Sequence, residues 1–175
     1  EALDDEVTYE NNSYDFYVDI IDGKENILIV ASAPHPDIRA IRSALEQSEN
    51  YDSYLFIPGL NEKPDNIDFD VIVYHDAFKN NVDLLKTYGF QGIPTFYIST
   101  ERPSSQRLIE EVNVSLSEYN NQTDNVTPAL NSTFSKFKLE DELLNRLSDY
   151  PSSTVPFADF NLNGPHDVLL RQQVG

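Results

Sequence analysis

The stretch Asn26–Leu45 reads NILIVASAPHPDIRAIRSAL and decides the fold class of this chain. Its first half is a continuous apolar run, which is typical of a strand that is buried on both faces of a parallel sheet. Its second half begins at Pro36, a residue that suits the first turn of a helix because its missing N–H costs nothing there. Ile38, Ile41 and Leu45 follow at spacings of three and four, so they predict a helix with one apolar face. Together the two halves predict the beginning of a βαβ unit.

The same alternation of strands and helices continues along the chain. Strands are predicted at 53–57, 69–74 and 92–98, and helices at 81–88 and over a segment that Ser104 or Ser105 caps and that carries Leu108, Ile109 and Val112. Right-handed crossovers between successive parallel strands then place helices on both faces of one sheet. The sequence therefore predicts an α/β fold with a three-layer, open, mainly parallel sheet of the flavodoxin-like type.

The ends of the chain and one internal region depart from this alternation. Residues 113–133 are rich in Asn, Ser and Thr without a sustained period, which predicts a long loop or insertion. We expect both ends of the chain to point toward other domains of a longer protein. The predicted division is an acidic leader or linker at 1–13 and a single α/β domain at 14–175, with an edge strand at 14–21, a helix around 139–147 and a closing strand at 167–174.

Composition and charge exclude several classes of function. The chain has 175 residues, of which 39% are hydrophobic, and this is enough apolar surface for a buried core. Its formal net charge of −18 repels phosphate backbones and anionic lipid headgroups, so we expect neither nucleic-acid binding nor direct membrane binding. The absence of cysteine excludes disulfides, thiolate zinc sites and thiol catalysis.

Polar side chains gather at one predicted edge of the sheet. Ligands of doubly wound sheets bind outside the carboxyl ends of the strands, where the strand order reverses. With the order 2-1-3-4, that crevice lies between the first and third strands. The first strand leads into His35 and Asp37, the third leads into His75 and Asp76, and Ser99 ends the neighbouring fourth strand. These five residues are the candidate catalytic and ligand-binding residues.

Three interpretations of this edge stay open. Ser99 as nucleophile, with His75 or His35 as base and Asp76 to hold the base, would make a serine hydrolase. His35, Asp37, His75 and Asp76 together would make a metal site for zinc or a similar ion. In the structural interpretation, which we favour at this point, His35 caps its helix, His75 bonds a neighbouring carbonyl and Ser99 starts a turn. The structural interpretation predicts no cofactor, no metal and no catalytic residue.

The fourth predicted strand resembles part of a known enzyme family. Gly92–Glu101 reads GIPTFYISTE and is similar to the strand and nucleophile turn of class I glutamine amidotransferases, where G-[IV]-P leads through an apolar strand to G-x-C-x-G. Ser99 stands in the place of the cysteine, and Tyr97 and Glu101 stand in the places of the two glycines. The family's His-x-Glu pair has no match late in the chain. The resemblance implies the fold and argues against amidotransferase activity.

A second resemblance covers most of the chain from about Ile27 onward. The strings APHPDI at 33–38, GIP at 92–94, NVTP at 125–128 and FSKF at 134–137 are similar to the amidotransferase-like segment of large bacterial membrane-anchored envelope proteins. This resemblance implies an extracytoplasmic, non-catalytic domain that serves as a scaffold or interaction module. Its implied partners are other domains of the same parent chain or other envelope proteins. A serine hydrolase or small-ligand-binding domain that uses the carboxyl edge is the alternative.

Five Asn-x-Ser/Thr triplets allow two interpretations of the surface. They begin at Asn11, Asn113, Asn121, Asn125 and Asn131. In a eukaryotic ectodomain such triplets are acceptors for N-glycosylation. In a bacterial protein they are a consequence of an Asn/Thr-rich loop, and we prefer this interpretation because it fits the second resemblance.

Overall fold

The computed structural model describes residues 23–75, 84–99, 107–109, 114–117, 120–147 and 149–173. The predicted leader at 1–13, the predicted edge strand at 14–21 and the candidate residue Asp76 lie outside these residues. The first half of the fold consists of β1 (Glu25–Ala31), α1 (Pro36–Leu45), β2 (Tyr51–Phe56), β3 (Val71–His75), α2 (Leu84–Tyr88) and β4 (Thr95–Ile98). The second half consists of β5 (Arg107–Ile109), β6 (Val114–Ser117), β7 (Thr123–Val126), β8 (Pro128–Leu130), α3 (Asp141–Leu147), β9 (Ser153–Pro156), β10 (Asp159–Leu162) and β11 (Leu170–Gln172).

The first four strands form one parallel sheet in the order β2-β1-β3-β4. Leu28 of β1 lies opposite Tyr54 of β2 on one side and Ile72 of β3 on the other. The apolar run that begins at Asn26 is therefore a central strand of the sheet. The predicted α/β class with a parallel sheet is confirmed, and so is the strand order on which the predicted crevice depends.

The two faces of this sheet are covered by different helices. Successive side chains of a strand point to opposite faces, so the apolar run of β1 supplies both cores. The α1 face is covered by the helix stripe that the sequence predicts, with Ile38 buried and Ile41 and Leu45 packed beside it. The core of the α1 face consists of Ile27, Ile29, Ala31, Ile38, Ile57 and Val73, and that of the α2 face of Leu28, Val30, Phe56, Ile72, Tyr74, Leu84, Leu85 and Phe90.

Helix ends follow the predicted local chemistry. Pro36 occupies the first turn of α1, and Gly89 follows the last residue of α2 with a positive φ of 76°. Glycine is the residue that adopts this left-handed conformation without strain, so it ends the helix there. At the amino edge of the sheet, Lys24 Nζ donates to Asp52 Oδ1 at 2.9 Å, and this hydrogen bond raises the pKa of Lys24.

The second half of the chain differs from the sequence prediction. Residues 107–109, which were predicted to be helical, form β5, and the predicted loop at 113–133 contains β6, β7 and β8. All the described pairings of these strands are antiparallel, so the parallel arrangement ends at β4. The prediction of a mainly parallel sheet therefore holds for the first four strands and is wrong for the second half. Each strand has only three or four residues, which is too few to show a period of two in the sequence.

Two elements of the second half lie where the sequence predicts them. α3 lies within the predicted helix around 139–147, and β11 lies within the predicted closing strand at 167–174. β11 pairs with β8 rather than with the parallel sheet. Among the described residues, no helix combines the length and the hydropathy that crossing a lipid bilayer requires.

Candidate metal centre

The candidate site lies at the carboxyl edge of the parallel sheet, between β1 and β3. β2 lies on one side of β1 and β3 on the other, so the strand order reverses at this point. Ala31, the last residue of β1, pairs with His75, the last residue of β3. His35 follows Ala31 after a short loop that enters α1. The topology thus brings two segments that are distant in the sequence to one crevice.

His35 and Asp37 are positioned by the N-terminus of α1. His35 is the N-cap residue, with an extended backbone at φ −144° and ψ 148°. Its Nδ1 accepts a hydrogen bond from the backbone N–H of Asp37 at 3.2 Å, which satisfies one of the free donors of the first turn. The predicted helix-capping role of His35 is confirmed. Asp37, in the first turn, also benefits from the positive end of the helix dipole.

His75 is held in the core with its ring directed at Asp37. The residue is 1% exposed, and its Nε2 lies 3.1 Å from Asp37 Oδ2. Its Nδ1 is buried and has no hydrogen-bond partner among the residues that the structure describes. The structural interpretation placed a neighbouring carbonyl beside His75, and this was wrong, because its partner is a carboxylate 38 residues away.

The two imidazoles share the Asp37 carboxylate. Their ring centroids lie 4.7 Å apart with a tilt of 33°. His35 Nδ1 is also 3.2 Å from Asp37 Oδ2, the oxygen that faces His75. The same nitrogen cannot both accept from the Asp37 N–H and donate to the Asp37 carboxylate. The Nδ1 atom that caps the helix is therefore not at the same time a hydrogen-bond donor to the carboxylate.

The three side chains bring possible metal ligands close together. One ligand atom from each of His35, Asp37 and His75 can be chosen so that all lie within 4.8 Å of one another. Zinc binds such atoms at about 2.0–2.2 Å, so tetrahedral ligand atoms lie about 3.3–3.6 Å apart. The contacts of Asp37 Oδ2 with the imidazole nitrogens, at 3.1 and 3.2 Å, are close to this separation. His35 and Asp37 are exposed, so a bound ion would keep a position open to solvent.

No family model, curated protein or solved structure matches this chain. Neither of the two resemblances read from the sequence therefore gains support from these comparisons.

Ser99 lies at the same edge of the sheet, at the end of the strand next to β3. It is exposed and follows β4, whose last residue Ile98 pairs with His75. In the described part of the chain, the hydrogen bonds of both imidazole rings go to Asp37. Asp76, the other carboxylate of the hydrolase hypothesis, lies outside the described residues. A catalytic role for Ser99 stays a prediction.

A groove beside the candidate site contains residues that sequence reasoning did not single out. It has a volume of about 540 Å³ and lies between His35, Arg39 and Arg42 on α1 and the apolar side chains of Leu55, Ile57 and Leu60. We call it the α1 groove. Two arginines three positions apart on one helix, in a chain of net charge −18, are the sequence signal that could have predicted it.

Proposed function

We propose that the carboxyl edge of the sheet binds a divalent transition-metal ion of the zinc class through His35, Asp37 and His75. The observation that supports this proposal most is the convergence of three ligand atoms from two separate segments within 4.8 Å. Two imidazoles and one carboxylate form a donor set that suits zinc and its neighbours in the first transition series. The function of the domain is then metal binding at the crevice of an α/β sheet.

The burial of His75 supports a functional role over a purely structural one. An imidazole with an unsatisfied nitrogen in the core costs about 1–3 kcal/mol relative to a satisfied group. An apolar residue at position 75 would pack against Val73 and its neighbours without this penalty. Such a departure from stable packing is typical of functional sites. The favoured sequence interpretation, in which these residues hold no metal, is therefore the one we set aside in this proposal.

Each residue has a distinct part in the proposed site. His75 is the fixed ligand, because its ring is held inside the sheet. Asp37 bridges the two imidazoles and carries the negative charge that offsets the charge of the cation. His35 is the exposed ligand at the mouth of the crevice. An ion with three protein ligands retains an open position, at which zinc-class ions bind a donor atom or polarise a carbonyl group.

We also propose that the parallel sheet and its helices form a flavodoxin-like fold. The parallel order β2-β1-β3-β4 and the helices on both faces support a flavodoxin-like arrangement. The amidotransferase-like relationship, the scaffold role and the envelope location depend only on the two sequence resemblances. They are compatible with metal binding, since a non-catalytic module can hold an ion.

Calorimetric titration of the full chain with ZnCl₂ tests the proposed site. We expect one ion to bind per chain. We expect His35→Ala and Asp37→Asn each to weaken the affinity by about 100-fold or more, because even loss of an outer-shell partner costs 10–100-fold. Substitution of His166 is the matched control, since this exposed histidine hydrogen-bonds to the carbonyl of Gly164 and lies outside the proposed ligand set.

Cobalt provides a second measurement at the same site. Co²⁺ bound by two imidazoles and a carboxylate gives visible absorption bands that report its coordination geometry, and we expect these bands to disappear in Asp37→Asn and to persist in His166→Ala. Unchanged zinc affinity in both His35→Ala and Asp37→Asn would show that the proposed ligands are wrong. Absence of any zinc binding by the unsubstituted chain would overturn the proposed function itself.

A further inference from the structure

We infer that the α1 groove binds a small monocarboxylate with an unbranched apolar tail, a ligand of the fatty-acid type. Its volume of about 540 Å³ is within the range of small-molecule sites. One wall is cationic and polar, and the facing wall is apolar. This asymmetry fits a ligand that has a charged head and an apolar body.

The cationic wall is a single stripe of α1. Arg39, Arg42 and Glu46 lie at spacings of three and four, so their side chains share one face of the helix. Arg42 Nη2 donates to Glu46 Oε1 at 3.3 Å, and this pair neutralises one positive charge. Within the described part of the chain, no hydrogen bond or ion pair engages the guanidinium of Arg39. Among the described residues, one positive charge of this wall is therefore without an ion pair.

On this wall, Arg39 and Arg42 outnumber the single carboxylate of Glu46. A guanidinium binds carboxylates with two parallel hydrogen bonds, which makes it a specific partner for the head group of such a ligand. The Nε of Arg42 is also buried without a hydrogen-bond partner among the described residues. The charges on the wall therefore favour a monoanion over a cation or a neutral molecule.

The apolar wall of the groove would contact the apolar tail of the ligand. Leu55 and Ile57 come from the end of β2 and the residue after it, and they are half-buried and buried, respectively. Leu60 stands at the rim with 65% of its surface exposed. A tail lying along these side chains would cover the rim leucine and gain about 25 cal/mol for each Å² of apolar surface removed from water.

The groove and the metal site are separable. They share His35, but neither Arg39 nor Arg42 belongs to the proposed metal ligands. The inference therefore does not depend on the proposed function. Measurements in the presence of EDTA isolate the groove, so failure of one proposal leaves the other standing.

Octanoate is the probe for the experiment, and octan-1-ol is its uncharged counterpart. In EDTA, we follow the amide resonances of the ¹⁵N-labelled full chain during titration with each compound. We expect octanoate to shift resonances of α1 and of residues 55–60 with a Kd of about 1 mM or below, as ligand efficiencies allow for a molecule of this size. We expect octan-1-ol to bind at least about tenfold more weakly.

Variants separate the two walls of the groove. We expect the double variant Arg39→Gln, Arg42→Gln to lose at least about tenfold in octanoate affinity, and Leu60→Ser to weaken the tail contact. Arg146→Gln is the matched control, because Arg146 forms the same kind of i, i+4 pair with Glu142 on α3. Equal binding of octan-1-ol, equal loss in the Arg146→Gln control, or no shift in the groove with octanoate would each overturn the inference.

Discussion

In EDTA, we expect the His75→Leu variant to melt at or above the Tm of the unsubstituted chain, and we expect zinc no longer to raise its Tm. The imidazole is buried with Nδ1 unsatisfied in the described part of the chain. A side chain of similar volume without polar atoms removes this penalty, and Asp37, which is exposed, stays hydrated. The loss of zinc stabilisation follows from the loss of the one buried ligand.

The expected size of the zinc effect follows from linkage. A ligand at about 100 times its Kd stabilises the folded state by about 2.7 kcal/mol. For a domain of this length, that corresponds to a rise of about 5–11 °C in the Tm. We expect this rise in the unsubstituted chain and in His166→Leu, and no rise in His75→Leu. Thermal unfolding followed by circular dichroism, with and without zinc, measures both halves of the prediction.

Two results would contradict this prediction. The first is a Tm of His75→Leu in EDTA that lies several degrees below that of the unsubstituted chain. This would show that the imidazole stabilises the core, and its burial would then no longer support a functional role. A zinc-dependent rise that persists in His75→Leu would place the metal elsewhere. His35→Ala distinguishes these cases, because His35 is exposed and its loss removes a proposed ligand without opening the core.

Leu28→Ala has the largest effect on stability that we expect among single substitutions of the core. Leu28 is fully buried in the central strand β1, between β2 and β3. Removing its branched side chain leaves a cavity, and such changes cost about 2–5 kcal/mol. This is a large part of the total stability of an ordinary domain, about 5–15 kcal/mol. Urea unfolding followed by circular dichroism measures the loss as a shift of the transition midpoint.

Leu143→Ala is the matched control for Leu28→Ala. Leu143 lies on α3 with 40% of its surface exposed, and alanine is a strong helix former. We expect a loss of no more than about 1 kcal/mol. Losses of equal size in the two variants would show that the parallel sheet is not the centre of stability, and would contradict the arrangement of the core described above.

Sequence patterns predicted the first half of the fold because those patterns are local. The apolar run lies within one strand, β1. The stripe of Ile38, Ile41 and Leu45 lies within a few turns of one helix, α1. The second half was predicted poorly. Its strands are short, and β7 and β8 pair with β9 and β11, which lie beyond α3 in the sequence. A pairing over such a distance leaves no periodic trace in a strand of three or four residues.

For the candidate site, the sequence alone showed which side chains follow the carboxyl ends of β1 and β3. These side chains lie close together because β1 and β3 are neighbours in the sheet. Only the tertiary structure decided that His75 contacts Asp37 across 38 residues. That contact depends on the register that pairs Ala31 with His75 and on the angle at which α1 leaves the sheet. Register and helix orientation are set by the packing of both faces of the sheet at once, so no local stretch of sequence encodes them.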